Sequence, residues 1–358
     1  MTQAAKLVRQ GKSCDIYENS EFPDLMFFHR TDRYSIGDRV FPGKIPYKGL
    51  IQNYMTLRWM KLLEEVGIVS NHIVSADART LFRYGFREDL GIGSTVVAKK
   101  CVPIPLECIV RGYYIPESPS WDPYKDGATL CGYDLPDGLR NSEKLETPIY
   151  TPSTKAPSGE RDINITFEES VEILTDFVLN TFTLSIGAEP EKIAYRIADT
   201  VKHLSLKAYN FAHSYCLTKG VILADTKLEF GFMFGPNGEH QIVLIDEVFT
   251  PDSSRFWDAH VYDVDRYQPA LDKQFLRRHV YWKLGWNFVE VPPKIEDFML
   301  YRASELYLDI CQRLFDVDII KLTTDISWEW HRCKEEYEAE KLAEQCQKEI
   351  VGYFGEKL

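Results

Sequence analysis

The hydrophobic pattern of the first third of the chain alternates over short runs, which is typical of β-strands between turns. One segment differs, because apolar residues recur at helical spacing from Leu50 to Val66 and stop at Gly67, a residue suited to a helix C-terminus. This pattern predicts a helix among strands. The predicted strands are a hairpin at Lys6–Glu18, then Leu25–Arg30, Thr95–Lys100 and Leu106–Arg111.

The rest of the chain is mainly helical in pattern. Helices are predicted at Phe167–Phe182 and Glu191–Leu217, and about the last hundred residues are also helical in pattern, ending in the charged stretch Trp330–Ile350. Before these helices, Ser118–Gly159 is dense in Pro, Gly, Ser and Thr, which predicts a wide, ordered loop. The order indicates an α+β lobe, a wide loop, and a second α+β lobe with a helical tail.

A second strand pair carries the most informative chemistry. Strands are predicted at Val221–Phe230 and His240–Glu247. On the first of them Asp225, Lys227 and Glu229 occupy alternate positions, so their side chains share one face.

The turn between these strands decides which carboxylates meet. If Gly235 and Gly238 pair across a two-residue turn, Asp246 lies directly opposite Lys227 and diagonally next to Glu229. Two carboxylates beside an ammonium suit a Mg²⁺–phosphate site, because Mg²⁺ takes one or two carboxylates and leaves other positions to phosphate oxygens and water. The residues alone leave a second interpretation open, a solvated strand face joined by a lysine–carboxylate pair.

Three other segments carry groups suited to anions. Thr250–Trp257 offers hydroxyls and Arg255, whose guanidinium binds phosphate or carboxylate in a fork; the alternative is a local turn whose arginine covers the neighbouring tryptophan. Thr151–Lys155 is either an anion-binding loop or a polar turn. Gly11-Lys12 is a weak candidate for a phosphate-covering hairpin.

Composition narrows the function classes. The 358 residues carry 42 Lys and Arg against 54 Asp and Glu, a net charge of −12, which argues against a nucleic-acid-binding surface. No window approaches about 18 uninterrupted apolar residues, so no membrane span is predicted. The first residues lack the apolar core of a signal peptide, and the eight cysteines form no C-x-x-C pair, so we expect reduced thiols in a cytoplasmic protein.

Motifs of several enzyme classes are missing from the sequence. The eight histidines show no H-x-x-x-H or H-E-x-x-H metal spacing, and no G-x-S-x-G marks a hydrolase nucleophile. The run Gly91-Ile92-Gly93-Ser94 lacks the spacing of a dinucleotide fingerprint and the lysine of a P-loop. We therefore interpret the histidines as structural and the glycine run as a turn.

Six segments, in order along the chain, carry a family signature. They are Gly11–Glu18, Arg30–Ser35, Glu107–Tyr113, Thr151–Ala156, Leu223–Gly231 and Asp246–Asp258. Together they resemble the SAICAR synthetase family, the phosphoribosylaminoimidazole-succinocarboxamide synthases. The resemblance runs from about residue 6 to about residue 290, and its last two segments are highly specific.

The resemblance implies an ATP-grasp-like, two-lobed α+β fold with antiparallel sheets and ATP between the lobes. We expect an N-terminal ATP-covering lobe at 1–112, a catalytic lobe at 113–300 and a helical extension at 301–358. The extension matches no part of the family pattern. It is either a contact in a homo-oligomer or a solvated helix.

The resemblance also assigns roles to individual residues. The expected catalytic residues are Lys155, Lys227, Glu229 and Asp246, and the last two would hold Mg²⁺. The expected ATP-binding residues are Gly11, Lys12, Asp15, Lys100 and Glu107. The expected substrate-binding residues are Arg111, Ser118, Ser120, Asp162, Asp252, Ser254 and Arg255.

The chain departs from the family pattern at four places. Cys14 stands where the family usually has a basic residue, and Arg161 stands where it has a histidine. The family's Ser-Ala-Phe-Asp run is replaced by Ser35–Asp38. The loop after the Arg-Gly-Tyr motif is lengthened, which leaves open whether Ser118 or Ser120 meets the substrate phosphate.

The function implied by the resemblance is an ATP-dependent ligase of purine biosynthesis. It would join L-aspartate to carboxyaminoimidazole ribonucleotide (CAIR), giving SAICAR, ADP and phosphate through an acyl phosphate. Its partners would be these small molecules, with Mg²⁺ as cofactor. Two alternatives remain open here: a small-molecule kinase, which the altered loop would favour, and a nucleotide-binding regulator that has lost turnover through Cys14 and Arg161.

Overall fold

A computed structural model gives the fold. It describes residues 3–87, 93–127, 129–155, 162–183, 187–235, 240–287 and 290–322, with 324, 327, 331–332, 334–336 and 339. The strands are β1 (Lys6–Gln10), β2 (Cys14–Glu18), β3 (Leu25–Arg30), β4 (Ser35–Ile36), β5 (Arg39–Val40), β6 (Ile73–Ser75), β7 (Thr95–Lys99), β8 (Val102–Pro103), β9 (Leu106–Tyr113), β10 (Lys144–Tyr150), β11 (Ser153–Thr154), β12 (Val221–Phe234), β13 (His240–Ile245) and β14 (Ser254–Asp258). The helices are α1 (Lys48–Glu65), α2 (Ala78–Arg83), α3 (Asp122–Lys125), α4 (Phe167–Thr181), α5 (Pro190–Thr218), α6 (Gln274–Arg278) and α7 (Asp297–Phe315).

Two main antiparallel sheets organise the chain. The first has the strand order β1-β2-β3-β7-β6. The second follows the order β10-β9-β12-β13, and β8, β11 and β14 also pair with its strands. The α+β fold with antiparallel sheets is therefore confirmed. The division of the chain at residue 112 stays a prediction, although β9, which crosses that point, pairs with β12 in the second sheet.

Strands and helices with a clear hydrophobic period lie close to their predicted bounds. The helix α1 begins two residues before the predicted apolar repeat, and α4, α5, β3 and β9 lie within two residues of their predictions. The wide loop predicted over Ser118–Gly159 is wrong in part, because β10, β11 and α3 lie inside it. Pro148 explains the missed strand β10: it has no N–H to donate, and the pairing of β10 with β9 is irregular between Lys144 and Ile149.

The last long helix belongs to the core. Tyr307, Ile310 and Leu314 of α7 are fully buried in the main apolar cluster, which also contains α1 and α5 side chains. Burying such side chains stabilises the fold by about 1.5–3 kcal/mol each. The part of the predicted extension up to Phe315 therefore packs as a structural helix, whereas the charged stretch from Trp330 lies largely outside the described residues.

Candidate active site

A line of alternating charges crosses β9 and β12. The Lys227 ammonium donates to Glu107 at 2.7 Å and to one Glu229 oxygen at 2.8 Å, and the Lys155 ammonium donates to the other Glu229 oxygen. Burial opposes ionisation of Glu229, but Lys227 and Lys155 prevail and lower its pKa to about 2. Glu229 is therefore a carboxylate at neutral pH.

The hairpin register differs from its prediction by one residue. Glu229 pairs with Ile245, and Phe234 pairs with His240. Five residues therefore lie between the last paired residues of the two strands, whereas the predicted turn has two. Asp246 is consequently not opposite Lys227, and the expected cross-strand pair is wrong. The predicted closing pair of the turn, Gly235 with Gly238, is therefore wrong. Residues 236–239 lie outside the described residues.

Asp246 nevertheless influences the Lys227 ammonium through its charge. It follows the last residue of β13 and has a left-handed backbone conformation with φ 57°, which Asp tolerates better than most residues. This conformation ends the alternation of side chains between the two faces of the strand. Burial lowers the pKa of Lys227, but Glu229, Glu107 and Asp246 outweigh it and raise the pKa. Asp246 also lies 3.5 Å from the Arg30 guanidinium, and 37% of its side chain is exposed.

A buried arginine pair lies next to this line. Asp225 accepts from Arg255 and lies 3.6 Å from Arg111, which also donates its Nε–H to Thr151 at 2.8 Å. Both guanidiniums are largely buried, and the Arg255 Nε has no hydrogen-bond partner among the described residues. Burial lowers the pKa of Arg255, but Asp225, Asp272 and Glu117 outweigh it, so the guanidinium stays charged. Two charged guanidiniums at one carboxylate suit phosphate or carboxylate.

Ser254 directly precedes Arg255 in the sequence. Its hydroxyl is 2.8 Å from that of Thr226, and both side chains are buried. This hydroxyl is therefore engaged inside the protein, and substrate binding by Ser254 stays a prediction.

Asp252 lies in a second buried ion-pair cluster that sequence reasoning did not find. Its carboxylate lies 3.1 Å from Lys48 and 3.5 Å from Lys273, and it accepts the Tyr307 hydroxyl at 3.2 Å. Burial raises the pKa of Asp252, but Lys273 and Lys48 lower it further, so the net shift is downward. The predicted role of Asp252 in substrate binding stays a prediction, because its carboxylate is fully engaged inside the protein.

The predicted ATP-covering hairpin forms as β1 and β2. The Gly11 N–H donates to Cys14 carbonyl oxygen at 2.8 Å, and a Cβ on Gly11 would lie only 2.5 Å from that oxygen. Asp15 accepts both arms of the Arg33 guanidinium, at 2.5 and 3.1 Å, so it anchors the hairpin. Lys12 pairs with Asp38 at 2.6 Å.

Lys12 and Lys100 are two hairpin-side cations within reach of solvent. Their side chains are 36% and 37% exposed, and Lys100 pairs with Glu18 at 3.0 Å. Partly exposed pairs of this kind are weak, so a polyphosphate can compete for the ammonium groups.

The lengthened loop with Ser118 and Ser120, and the predicted substrate-binding residue Asp162, lie beside segments that are described only in part. Ser118 is buried and donates to the Ser120 hydroxyl at 3.4 Å, so the two candidates for the phosphate contact lie side by side. Asp162 is exposed, and its charge adds to burial in raising the pKa of Glu107. Arg161 lies outside the described residues.

Several residues of the site are not predicted by any spacing rule in the sequence. Arg30 and Arg33 fall in a segment that resembled the family, and Glu247 follows Asp246, but no spacing rule marked them. Glu247 accepts from Gln52 at 2.8 Å and from Thr250 at 2.5 Å. No signal marked Lys48, whose partner lies far away in the sequence.

Two kinds of feature are absent from the described residues. They contain no group of three His, Cys, Asp or Glu side chains arranged to hold a metal ion. Among the same residues, no helix combines the length and apolar character needed to cross a membrane.

Comparison with known proteins decides the family. The family profile described as SAICAR synthetase matches residues 7–290. The chain belongs to the SAICAR synthetase family. A phosphoribosylaminoimidazole-succinocarboxamide synthase of Maridesulfovibrio salexigens is 39% identical over 293 residues, covering 81% of this chain and 87% of that protein. One of Thermodesulfovibrio yellowstonii is 38% identical over 310 residues, covering 86% and 94%.

A solved structure agrees with this assignment. The SAICAR synthase of Saccharomyces cerevisiae in complex with SAICAR is 31% identical, with a TM-score of 0.70 over 88% of this chain and 96% of that one. The predicted resemblance and the two-lobed SAICAR synthetase fold are confirmed, and this family member is a ligase. The kinase and regulator alternatives lose their support, since the first rests only on the altered loop and the second only on Cys14 and Arg161.

Proposed function

We propose that this SAICAR synthetase family member joins L-aspartate to CAIR with ATP, through an acyl phosphate, on the surface formed by β9, β12 and the residues after β13. The observation that carries the proposal is the contact of one ammonium, that of Lys227, with both Glu107 and Glu229, while Asp246 helps to raise the pKa of the same group. The solved yeast relative, which holds SAICAR, supports the choice of substrate.

The chemistry proceeds in two displacements. A carboxylate oxygen of CAIR attacks the γ-phosphorus of ATP, and the bond to the bridging oxygen breaks to release ADP. The aspartate amine then attacks the acyl carbon, and phosphate leaves as the amide forms and the nitrogen loses a proton. Phosphoryl transfer depends mainly on positioning and charge neutralisation, so the chain needs no nucleophile of its own.

The side chains divide this work by charge. Lys155 and Lys227 lie beside Glu229 and neutralise charge that develops on the transferring phosphoryl group. Lys12 and Lys100 meet the ATP phosphates from the hairpin side. Arg111, with Ser118 or Ser120 nearby in the lengthened loop, and Arg255 bind the nucleotide substrate.

The carboxylates present fit Mg²⁺ by their chemistry. Asp246 is partly exposed, and its contact with Arg30 is long at 3.5 Å, so it retains acceptor capacity. Glu229 keeps free lone pairs beside its two lysine contacts. Mg²⁺ needs only one or two protein carboxylates, and when bound it would neutralise phosphate charge. Asp246 and Glu229 are therefore the residues that would hold it.

Phosphate release by the purified chain tests the proposal. We expect release to require ATP, CAIR and aspartate together, with SAICAR formed in equal amount. Glu229→Gln should reduce the rate about 10²-fold or more, because it removes the charge that holds both lysines. Formation of ADP without release of phosphate, with a phosphorylated acceptor accumulating and no amide product, would instead show a kinase. Nucleotide binding with no release on any substrate would show a regulator.

We also infer a cytoplasmic location. The six cysteines among the described residues are free thiols, and Cys108, Cys216 and Cys311 are buried as small apolar side chains. Cell fractionation tests this inference, and recovery with a membrane or extracellular fraction would contradict it.

A further inference from the structure

The inference concerns Arg30, which lies in a segment that resembles the family but to which the resemblance assigns no role. Arg30 ends β3 and lies directly opposite Cys14 of β2 in the antiparallel pair, so the two side chains share a face of the first sheet. Cys14 occupies the position at which the family pattern has a basic residue. A guanidinium therefore reaches this face from the neighbouring strand instead.

The backbone of Arg30 is held in place on both sides. Its N–H donates to the Ser94 carbonyl at 2.8 Å, and the next residue, Thr31, donates to the Ser13 carbonyl at 2.8 Å. On the other side, α1 approaches so closely that a Cβ on Gly49 would lie 2.3 Å from the Arg30 carbonyl oxygen. The starting point of the side chain is thus fixed by the hairpin and by α1.

The guanidinium of Arg30 points to the acidic end of β13. Its Nη1 lies 3.5 Å from Asp246 Oδ1, and its side chain is only 5% exposed. The Nε is buried and has no hydrogen-bond partner among the described residues. Cys14 cannot supply a charge here, since burial raises the pKa of its thiol to about 12 and leaves it neutral.

We propose that Arg30 is a positioning residue that supplies, from β3, the cation missing at Cys14, and that it orients Asp246 toward the ATP phosphates. This inference rests on the proposed function, because it uses the role given there to Asp246. A buried cation beside a carboxylate could also serve the fold alone. The two roles differ in one respect: a positioning charge can be moved to the opposite strand, whereas a packing role depends on the Arg30 side chain itself.

The test relocates the charge across the strand pair. Arg30→Ala removes it, and the double variant C14R/R30A returns a guanidinium from β2. We measure the Kd for ATP by calorimetry without CAIR or aspartate, the KM for each substrate, kcat, and the melting temperature. Arg83→Ala is the matched control, because Arg83 is an exposed arginine in the last turn of α2 in the same part of the chain.

We expect R30A to raise the Kd and KM for ATP about tenfold or more, as is usual when a residue that orients a ligand-binding carboxylate is lost. The KM for CAIR should change less than about twofold, and C14R/R30A should recover ATP binding to within about threefold of the parent. Arg83→Ala should leave every constant unchanged.

Three results would overturn the inference. One is an R30A protein whose ATP constants stay within about twofold of the parent. The second is a folded C14R/R30A protein that binds ATP as weakly as R30A. The third is loss of folding in both R30A and Arg30→Gln that Cys14→Arg does not relieve, since that result assigns Arg30 to the fold alone. Failure of the proposed function would appear separately, as absence of phosphate release by the parent protein, while ATP binding remained measurable.

Discussion

The Lys48 ammonium lies 3.1 Å from the Asp252 carboxylate, and the Lys48 side chain is completely buried. Lys48 begins α1, whereas Asp252 lies between β13 and β14, so the ion pair joins the N-terminal part of the chain to the candidate site. Lys48 also donates to Gln52 at 2.7 Å, and Gln52 donates to Glu247 at 2.8 Å. One buried network thus sets the position of α1 against the acidic residues after β13.

Lys48→Met should therefore destabilise the fold by about 3 kcal/mol, because removing one partner of a buried pair leaves an uncompensated charge. The value lies at the low end for such pairs, since Asp252 keeps Lys273 and Tyr307. Urea unfolding measures the change. Lys61→Met is the matched control, because Lys61 forms an exposed pair with Glu65 worth at most about 1 kcal/mol. Equal effects of the two substitutions would contradict this prediction.

Lys155→Ala should lower kcat about 10²-fold while leaving the melting temperature nearly unchanged, because its partly exposed ammonium serves the reaction rather than the core. Glu229 retains Lys227 in this variant, so it stays ionised. Steady-state kinetics and a thermal melt together measure the two effects. Lys207→Ala, at an exposed position on α5, is the control and should change neither. A fall in stability that accounts for the lost activity would refute the catalytic role.

Acid should destabilise the protein through His72. Burial lowers its pKa to about 4, whereas the unfolded chain has a value near 6.5. Between these values the unfolded state binds more protons, so the stability falls as the pH drops from about 6.5 to about 4. His72→Gln should reduce the loss measured by urea unfolding between pH 7 and pH 5 by on the order of 2 kcal/mol. An unchanged loss would show that His72 does not titrate in this range.

The sequence predicted those parts of the fold that depend on local periodicity. The helix α1 could be predicted because its apolar repeat ends at Gly67, and β12 could be predicted because its charged residues alternate. The strand β10 was hidden by Pro148, which breaks both the pattern and the pairing.

The site was predictable where its residues share one strand and unpredictable where they meet through the tertiary fold. Lys227 and Glu229 contact each other because alternate positions of a strand face the same way. Lys48 and Asp252 contact each other only because α1 packs beside the loop after β13. No local spacing encodes that approach, the one-residue shift of the β12–β13 register or the contact of Asp246 with Arg30.

Gly11→Ala should weaken ATP binding specifically. A Cβ at this position would lie 2.5 Å from the Cys14 carbonyl oxygen, so the hairpin must shift and carry Lys12 away from its position. We expect the KM for ATP to rise about tenfold, because small displacements of a phosphate-binding group are costly, with little change in the KM for aspartate. Gly67→Ala is the control, since Gly67 has φ 69° but no atom within 4 Å of the added Cβ. It should lower stability by about 1 kcal/mol through backbone strain and leave the KM for ATP unchanged. Equal KM values for the two variants would mean that the hairpin does not contact the nucleotide.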